Sequence, residues 1–260
     1  MAEQHDTRSV TYTREGPLAL IRMNTRHGNA LNPDLFRELS LAVEQAAGDS
    51  GVRGVLLTST GKIFSPGLDL QELLEFDRPA MEVFMDQFGT TLLSLYTFPK
   101  PLVAGISGHA IAGGCVLALT ADWRILKEGA SIGLNEVRVG VPLPFSVALL
   151  LREMIRRPFL GEVALLGRNF SGEAAVAAGL VHELCGGDRF EASCISRLEE
   201  YASRDPAALA ITKKYLRSVT LERMRVGDSP YRCEFLDCWF SPGTRRNIQA
   251  IVAGLQKRSG

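Results

Sequence analysis

Residues 101–121, PLVAGISGHAIAGGCVLALTA, are the stretch that decides the fold. They carry no formal charge, and the stretch is as long as a membrane-spanning helix. Pro101 begins it, however, and glycines interrupt it at positions 105, 108, 113 and 114, which argues against one continuous helix. We therefore predict a buried strand at Leu102–Ile106, a tight turn, and a buried helix over residues 115–120.

The rest of the first half alternates strand and helix. Strands are predicted at residues 9–13, Leu18–Met23 and 54–58, and more weakly at 121–126 and 130–132. Asn32 and Pro33 predict a helix start, because asparagine caps helices well and proline suits the first helical position. After Leu143 the chain reads as mostly helical, with helices predicted at 144–156, 158–166, 171–178 and from 189 to 257, and a short strand at 180–184. This pattern indicates a layered α/β core followed by a helical region.

Composition narrows the class of protein. The chain has 260 residues, of which 46% are hydrophobic and 22% charged, which is ordinary for a globular protein with a sizeable core. Lysines plus arginines and aspartates plus glutamates both number 29, so the net charge is zero. No overall field favours nucleic acid or an anionic membrane as a partner.

Cysteine usage and the start of the chain bear on the compartment. The five cysteines are scattered, odd in number and without a C-x-x-C pair, which favours reduced thiols. Residues 1–10 are polar, so we expect no signal peptide. A cytosolic or matrix-like compartment follows, and we expect a cytoplasmic protein. The histidines show no ligand spacing, so no metal site is predicted.

The first candidate site is the turn over residues 64–70, FSPGLDL. It lies between a predicted strand and a short helical stretch, so it can present backbone N–H groups near a helix N-terminus, where negative charge is favoured. Pro66 has no N–H, so Leu68 is our candidate donor, and Asp69 is expected to cap the helix. A plain loop with a helix cap explains the same residues.

The second candidate turn is residues 111–115, IAGGC. Its glycines allow a ligand to approach the backbone, and the N–H of Gly113 is the second candidate donor. Two such donors would form an oxyanion hole. Close helix packing explains the glycine pair equally well. The chain has no phosphate-binding loop of the G-x-x-x-x-G-K-[ST] type and no convincing dinucleotide fingerprint.

Glu136 is the candidate acid/base. It follows residues 131–135, SIGLN, and lies between two apolar patches. A carboxylate there would be partly desolvated, which raises its pKa and suits it to act as a base. A capping or surface glutamate is the alternative interpretation.

Taken together, these motifs resemble the enoyl-CoA hydratase/isomerase (crotonase) superfamily. The segments that carry the resemblance are residues 29–32 (NALN), 64–70 (FSPGLDL), 112–115 (AGGC), 122–126 (DWRIL) and 135–136 (NE), in the family's order and spacing. The resemblance spans roughly residues 10–255. It implies a spiral of ββα turns over residues 1–190 and a helical oligomerisation region over 191–260. It also implies a homotrimer or hexamer and an acyl-CoA substrate. No cofactor is implied beyond the coenzyme A of the substrate, and no metal.

The resemblance also implies roles for individual residues. The oxyanion-hole amides fall on Leu68 and Gly113. Of the two catalytic glutamates of family hydratases, one falls on Glu136 and the other on Val116. The residues expected to contact substrate are Asn29, Ala30, Leu31, Pro66, Gly67, Asp69, Leu70, Gly114, Val116 and Pro142. Pro142 could equally belong to the core.

The replacement of one glutamate by Val116 bears on the reaction. Hydration needs a carboxylate that positions and deprotonates water, which valine cannot do. A shift of the double bond from a 3-enoyl to a 2-enoyl thioester needs only one base. The sequence around Glu136 also resembles that of Δ3,Δ2-enoyl-CoA isomerases. We therefore expect an isomerase. The alternatives are a hydratase or other crotonase reaction with a second acid not seen in the sequence, or an acyl-CoA-binding protein without turnover.

Overall fold

The computed structural model describes residues 9–25 and 28–259, the side chains of 226–230 and 258–259 excepted. Residues 1–8, on which the expectation about a signal peptide mainly rests, lie outside the described residues. Within the described ranges, no helix is both long and apolar enough to cross a bilayer.

Within the described residues, ten strands form two sheets. The strands are β1 (Val10–Glu15), β2 (Leu18–Met23), β3 (Gly54–Ser59), β4 (Ile63–Ser65), β5 (Leu102–Ile106), β6 (His109–Ile111), β7 (Trp123–Lys127), β8 (Ser131–Gly133), β9 (Asn169–Ser171) and β10 (Glu183–Cys185). The larger sheet has the order β1-β2-β3-β5-β7-β10 and is parallel except for the β1–β2 hairpin. The smaller sheet has the order β4-β6-β8-β9 and is parallel except for its β8–β9 pair.

In the part of the chain that the structure describes, ten α-helices connect and cover the sheets. They are α1 (Pro33–Gly48), α2 (Leu70–Leu73), α3 (Arg78–Tyr96), α4 (Gly113–Leu119), α5 (Glu136–Val139), α6 (Phe145–Met154), α7 (Gly172–Ala178), α8 (Phe190–Ala202), α9 (Pro206–Trp239) and α10 (Pro242–Ser259). The strand pairs β3/β4, β5/β6 and β7/β8 each give one strand to each sheet before the chain turns into helix. This repetition is the ββα spiral, and the predicted fold class is confirmed.

The larger sheet is buried on both faces. Its inner face belongs to the main core, and its outer face is covered by α8 through Phe190, Cys194 and Leu198. Strands buried on both sides read as continuous apolar runs, which is why β3 and β5 were visible in the sequence. The deciding stretch 101–121 folds as β5, β6 and α4, so the prediction against a single helix is confirmed.

Several boundaries differ from prediction. The helix predicted at 115–120 begins two residues earlier, at Gly113. The helix predicted at 158–166 is instead a 3-10 turn at Arg157–Phe159 and a π-helix at Gly161–Leu165, and Gly161 lies in the interior of the predicted helix, where glycine is disfavoured. Short strands β4 and β6 and the long helix α3 were not predicted. Three-residue strands carry too little periodicity to be recognised from sequence.

A buried ion cluster fixes α9 to the core. Asp122, just before β7, accepts hydrogen bonds from Lys213 at 2.6 Å and from Arg217 at 2.7 Å, both on α9. The Leu102 N–H donates to the same carboxylate at 2.8 Å. The side chains of both cations are 9% exposed, and burial lowers the pKa of Lys213 to about 8. The helical second half is thereby held against the spiral.

Candidate functional site

The first turn is held open by a short parallel bridge to the chain before α1. The Leu31 N–H donates to the Gly67 carbonyl at 2.8 Å, and the Asp69 N–H donates to the Leu31 carbonyl at 2.9 Å. In such a bridge the intervening residue, Leu68, directs its own N–H to the other side. The Leu68 N–H has no acceptor among the described residues. Asp69 accepts from the Glu72 N–H at 3.1 Å and caps α2, as predicted.

The second turn enters α4 through a strained residue. Ala112 has φ +50° and ψ −122°, a conformation rare for a residue with a side chain. Its N–H donates to the Gly133 carbonyl of β8 at 2.8 Å, and its carbonyl accepts from the Val116 N–H at 3.0 Å. Gly113 is the first helical residue, so its N–H lies where a helix has no acceptor of its own. Within the described chain, no other group accepts it.

The two turns pack against each other with no room for side chains. Gly67 has φ +95°, and a Cβ on it would lie 2.8 Å from the Ala112 Cβ and 3.1 Å from the Gly113 nitrogen. A Cβ on Gly114 would lie 2.2 Å from the Ser65 carbonyl oxygen. The glycines therefore permit this approach of backbone to backbone. As a result the Leu68 and Gly113 amides belong to neighbouring chain segments, and both residues line one cavity.

Glu136 lines the same cavity, at the start of α5. Its Oε2 atom is fully buried and has no hydrogen-bond partner among the described residues. Burial raises the pKa of Glu136 to about 7, because the ionised form loses hydration and a hydrogen bond from its own backbone N–H offsets only part of that loss. The predicted direction of this pKa shift is confirmed. At neutral pH such a group exchanges a proton readily in either direction.

Three other carboxylates line the cavity, and two of them are engaged in structure. Asp69 caps α2, as described above. The Glu72 Oε2 atom accepts from the Asn32 side-chain amide at 2.8 Å. Glu75 lies exposed to solvent. Among the carboxyl groups of the described cavity, only Glu136 combines a buried, unpartnered oxygen with a raised pKa.

The cavity has a volume of about 1130 Å³. Most residues predicted to form the site line it, namely Ala30, Pro66, Leu68, Asp69, Leu70, Gly113, Val116, Glu136 and Pro142. Val116 is 1% exposed and lies on α4, one helical turn beyond Gly113. Residues that were predicted to share a site, and that are more than 100 positions apart in the sequence, therefore line the same cavity.

Four residues that were predicted to contact substrate lie away from the cavity lining. Asn29, Leu31, Gly67 and Gly114 do not line the cavity. Asn29, at φ +65°, is buried and donates its side-chain amide to the Ile63 carbonyl at 3.0 Å. Leu31 is a core residue that bridges to the first turn, and both glycines serve the packing of the turns. The structure therefore places these four residues behind the cavity wall, where they position the residues that line it.

Sequence reasoning missed the far walls of the cavity. Met85 and Phe88 come from α3, Phe235 and Trp239 from α9, and Ile251, Val252, Leu255 and Gln256 from α10. Their apolar helical spacing is the same as that of any core-facing helix, so no local signal distinguished them. Much of the region predicted to serve oligomerisation therefore also builds the site. Within the described residues, no group of three or more His, Cys, Asp or Glu side chains could hold a metal ion.

Known proteins resemble this chain in sequence and in fold. The family described as "Enoyl-CoA hydratase/isomerase" matches residues 13–227. The chain belongs to this family. It is therefore an enzyme of the crotonase superfamily, as the motifs predicted.

Some relatives within the hydratase/isomerase family are named isomerases and others hydratases. Human mitochondrial enoyl-CoA delta isomerase 1 is 29% identical over 246 residues, covering 94% of this chain and 82% of the relative. The 2,3-dehydroadipyl-CoA hydratase of Escherichia coli is also 29% identical, covering 89% of each chain. The crystal structure of human mitochondrial Δ3,Δ2-enoyl-CoA isomerase superposes with a TM-score of 0.93 at 26% identity, covering 97% of this chain and 100% of that one.

Proposed function

We propose that the protein is an isomerase that shifts the double bond of a 3-enoyl-CoA thioester to the 2-trans position. The observation that carries this proposal is a cavity lined by Glu136, the one described carboxyl group there with a buried, unpartnered oxygen, and by the apolar residue Val116 of α4. The close superposition on the human isomerase supports it.

Glu136 would act as the proton shuttle. Its carboxylate removes a proton from C2 of the substrate, and the electron pair of that C–H bond moves into a dienolate that extends to the thioester oxygen. The protonated Glu136 then returns the proton to C4, and the double bond passes from C3–C4 to C2–C3. A pKa of about 7 suits both steps, since the group must first accept a proton and then donate it.

The Leu68 and Gly113 amides would hold the thioester oxygen. Both N–H groups lack acceptors among the described residues, both residues line the cavity, and the second begins a helix. Donors fixed before the reaction stabilise a developing oxyanion without reorganising, and losing one typically costs about 10²–10³ in rate. The reaction as proposed uses coenzyme A as part of the substrate and no metal or redox cofactor.

The test is turnover of 3-enoyl-CoA by wild type and by Glu136→Gln. The amide keeps the shape but cannot accept the proton, so we expect activity to fall by at least about 10²-fold. In the wild type the rate should rise with pH through about 7, as the base ionises. Glu173→Gln, an exposed glutamate on α7, is the matched control and should be unchanged. Full turnover by Glu136→Gln would remove Glu136 from the mechanism.

Hydration is the second candidate, favoured by the relative named as a hydratase and by Glu75, an exposed carboxylate in the cavity. Val116 stands against it, because a side chain without polar atoms cannot orient an attacking water. Hydration of 2-enoyl-CoA at a rate matching isomerisation would favour the hydratase. Binding of many acyl-CoA thioesters without turnover would instead support a binding protein.

We further propose a cytoplasmic homotrimer or hexamer. Ile211, Tyr215, Leu216 and Val219 are exposed apolar residues of α9 at helical spacing. A contiguous apolar helix face on the surface is typical of a subunit contact. The proposed compartment rests on the scattered cysteines, all five of which are free thiols in the structure.

A further inference from the structure

The cavity lining is exposed in one part and buried in another. Gln71, Leu255 and Gln256 are exposed to solvent. Val147 is fully buried, Phe88 and Phe235 are each 5% exposed, and we call this buried part the blind end. We expect a long thioester to bind with its coenzyme A part at the exposed residues and its acyl tail at the blind end.

The described side chains at the blind end are mostly hydrocarbon. They are those of Met85, Phe88, Pro144, Val147, Phe235 and Trp239. The indole Nε1 atom of Trp239 is buried and has no hydrogen-bond partner among the described residues. An acyl tail entering here would pack mainly against apolar side chains.

A thin wall closes the blind end, and a second void lies behind it. Met85, Phe88, Pro144 and Phe235 line both the cavity and this void. The void has a volume of about 10 Å³, which is no more than a single water needs. Its far side is built by Tyr231, which stacks on Phe145 with ring centroids 4.3 Å apart, and by Arg232, which pairs with Asp86 at 2.5 Å.

We propose that this wall, with Met85 as its adjustable member, determines the longest acyl chain that the site accepts. The inference rests on the proposed acyl-CoA substrate. Methionine is unbranched and flexible, so of the four wall residues it yields most easily. Removing its side chain would join the cavity to the void and lengthen the pocket.

The experiment measures dissociation constants of saturated acyl-CoA thioesters of even chain length by calorimetry. Saturated chains cannot isomerise, so binding is separated from reaction. In the wild type, affinity should rise about 3- to 4-fold for each methylene until the tail reaches the wall, and should then stop rising. Met85→Ala should move this limit to longer chains, and Met85→Phe should move it to shorter ones.

Val83→Ala is the matched control, because Val83 is an exposed apolar residue on the same helix and should leave the limit in place. A limit that stays in place in both folded Met85 variants would overturn the inference. Absence of all acyl-CoA binding would instead overturn the proposed function, whereas a shifted limit without isomerisation would leave this inference standing.

Discussion

At the scale of single residues, Glu136 is unusual because its carboxyl group is buried and one of its oxygens has no hydrogen-bond partner among the described residues. Its Oε2 atom is buried and unbonded within the described chain, and its pKa is raised to about 7 from 4.5. A folded protein tolerates such a group only at a cost in stability, which is typical of residues kept for chemistry.

That cost can be measured as a function of pH. Because the folded state holds the proton of Glu136 more tightly than the unfolded state, stability contributed by this proton is present below pH 4.5 and is lost as pH rises through about 7. Glu136→Gln cannot ionise, so it should be more stable than wild type at pH 8.5, by at most about 3 kcal/mol, and nearly equal to it at pH 5. Denaturant unfolding at both pH values checks this. An equal difference at the two pH values would contradict the raised pKa.

At the scale of elements, the site depends on two turns that meet backbone to backbone. Each turn follows a short strand of the smaller sheet, β4 or β6, and precedes a helix, α2 or α4. Because β4 and β6 pair in parallel, the two turns leave the sheet at the same edge and meet there. The sheet pairing, more than either turn alone, brings the Leu68 and Gly113 amides together.

Gly67→Ala tests this arrangement. The new Cβ would lie 2.8 Å from the Ala112 Cβ at a φ of +95°, so the turns must separate. We expect kcat/KM to fall by about 10² or more, as on losing an oxyanion donor. Gly129→Ala has a similar φ of +83° and no neighbour within 4 Å, so it should cost about 1 kcal/mol of stability and no activity. If both variants lost the same activity, the cause would be the strain of a side chain at positive φ and not the separation of the two turns.

At the scale of the whole molecule, α9 links the core to the cavity wall. Lys213 and Arg217, in its first half, bind Asp122 of the spiral, and Phe235 and Trp239, at its end, line the cavity. One helix therefore carries both the cations of the ion cluster and part of the cavity wall.

Asp122→Asn should therefore destabilise the protein strongly. It leaves two buried cations without their anion, and breaking such a pair typically costs about 3–5 kcal/mol. Asp237→Asn is the matched control, because Asp237 pairs with Arg78 at 2.7 Å but is 70% exposed, and it should cost less than about 1 kcal/mol. Chemical denaturation compares the two. Similar losses would mean that the cluster contributes no more than a surface pair.

The proposed assembly makes a separate prediction. Leu216→Glu puts a charge on the exposed apolar face of α9, where the side chain is now 76% exposed, and should lower the mass seen in sedimentation velocity. Leu41→Glu, at an apolar position of α1 that is 56% exposed, should leave the mass unchanged. A wild-type protein that sediments as a monomer would contradict the proposal outright.

The sequence by itself determined a layered α/β core, two glycine turns and Glu136 as the candidate acid/base, and the resemblance to a family implied the ββα spiral. The core, the turns and the candidate base depend on local chemistry: alternation of apolar runs, glycine where backbones touch, and a carboxylate between apolar segments. The supporting position of Asn29 and the short strands β4 and β6 were decided by pairing with distant segments.

Only the tertiary structure decided the blind end of the cavity. Met85 and Phe235 meet there from helices 150 residues apart, and an apolar stripe on a helix is the same whether it faces a core or a ligand. Which of the two it faces depends on whether the neighbouring helices close completely. That is a property of packing between distant segments, which no local pattern carries.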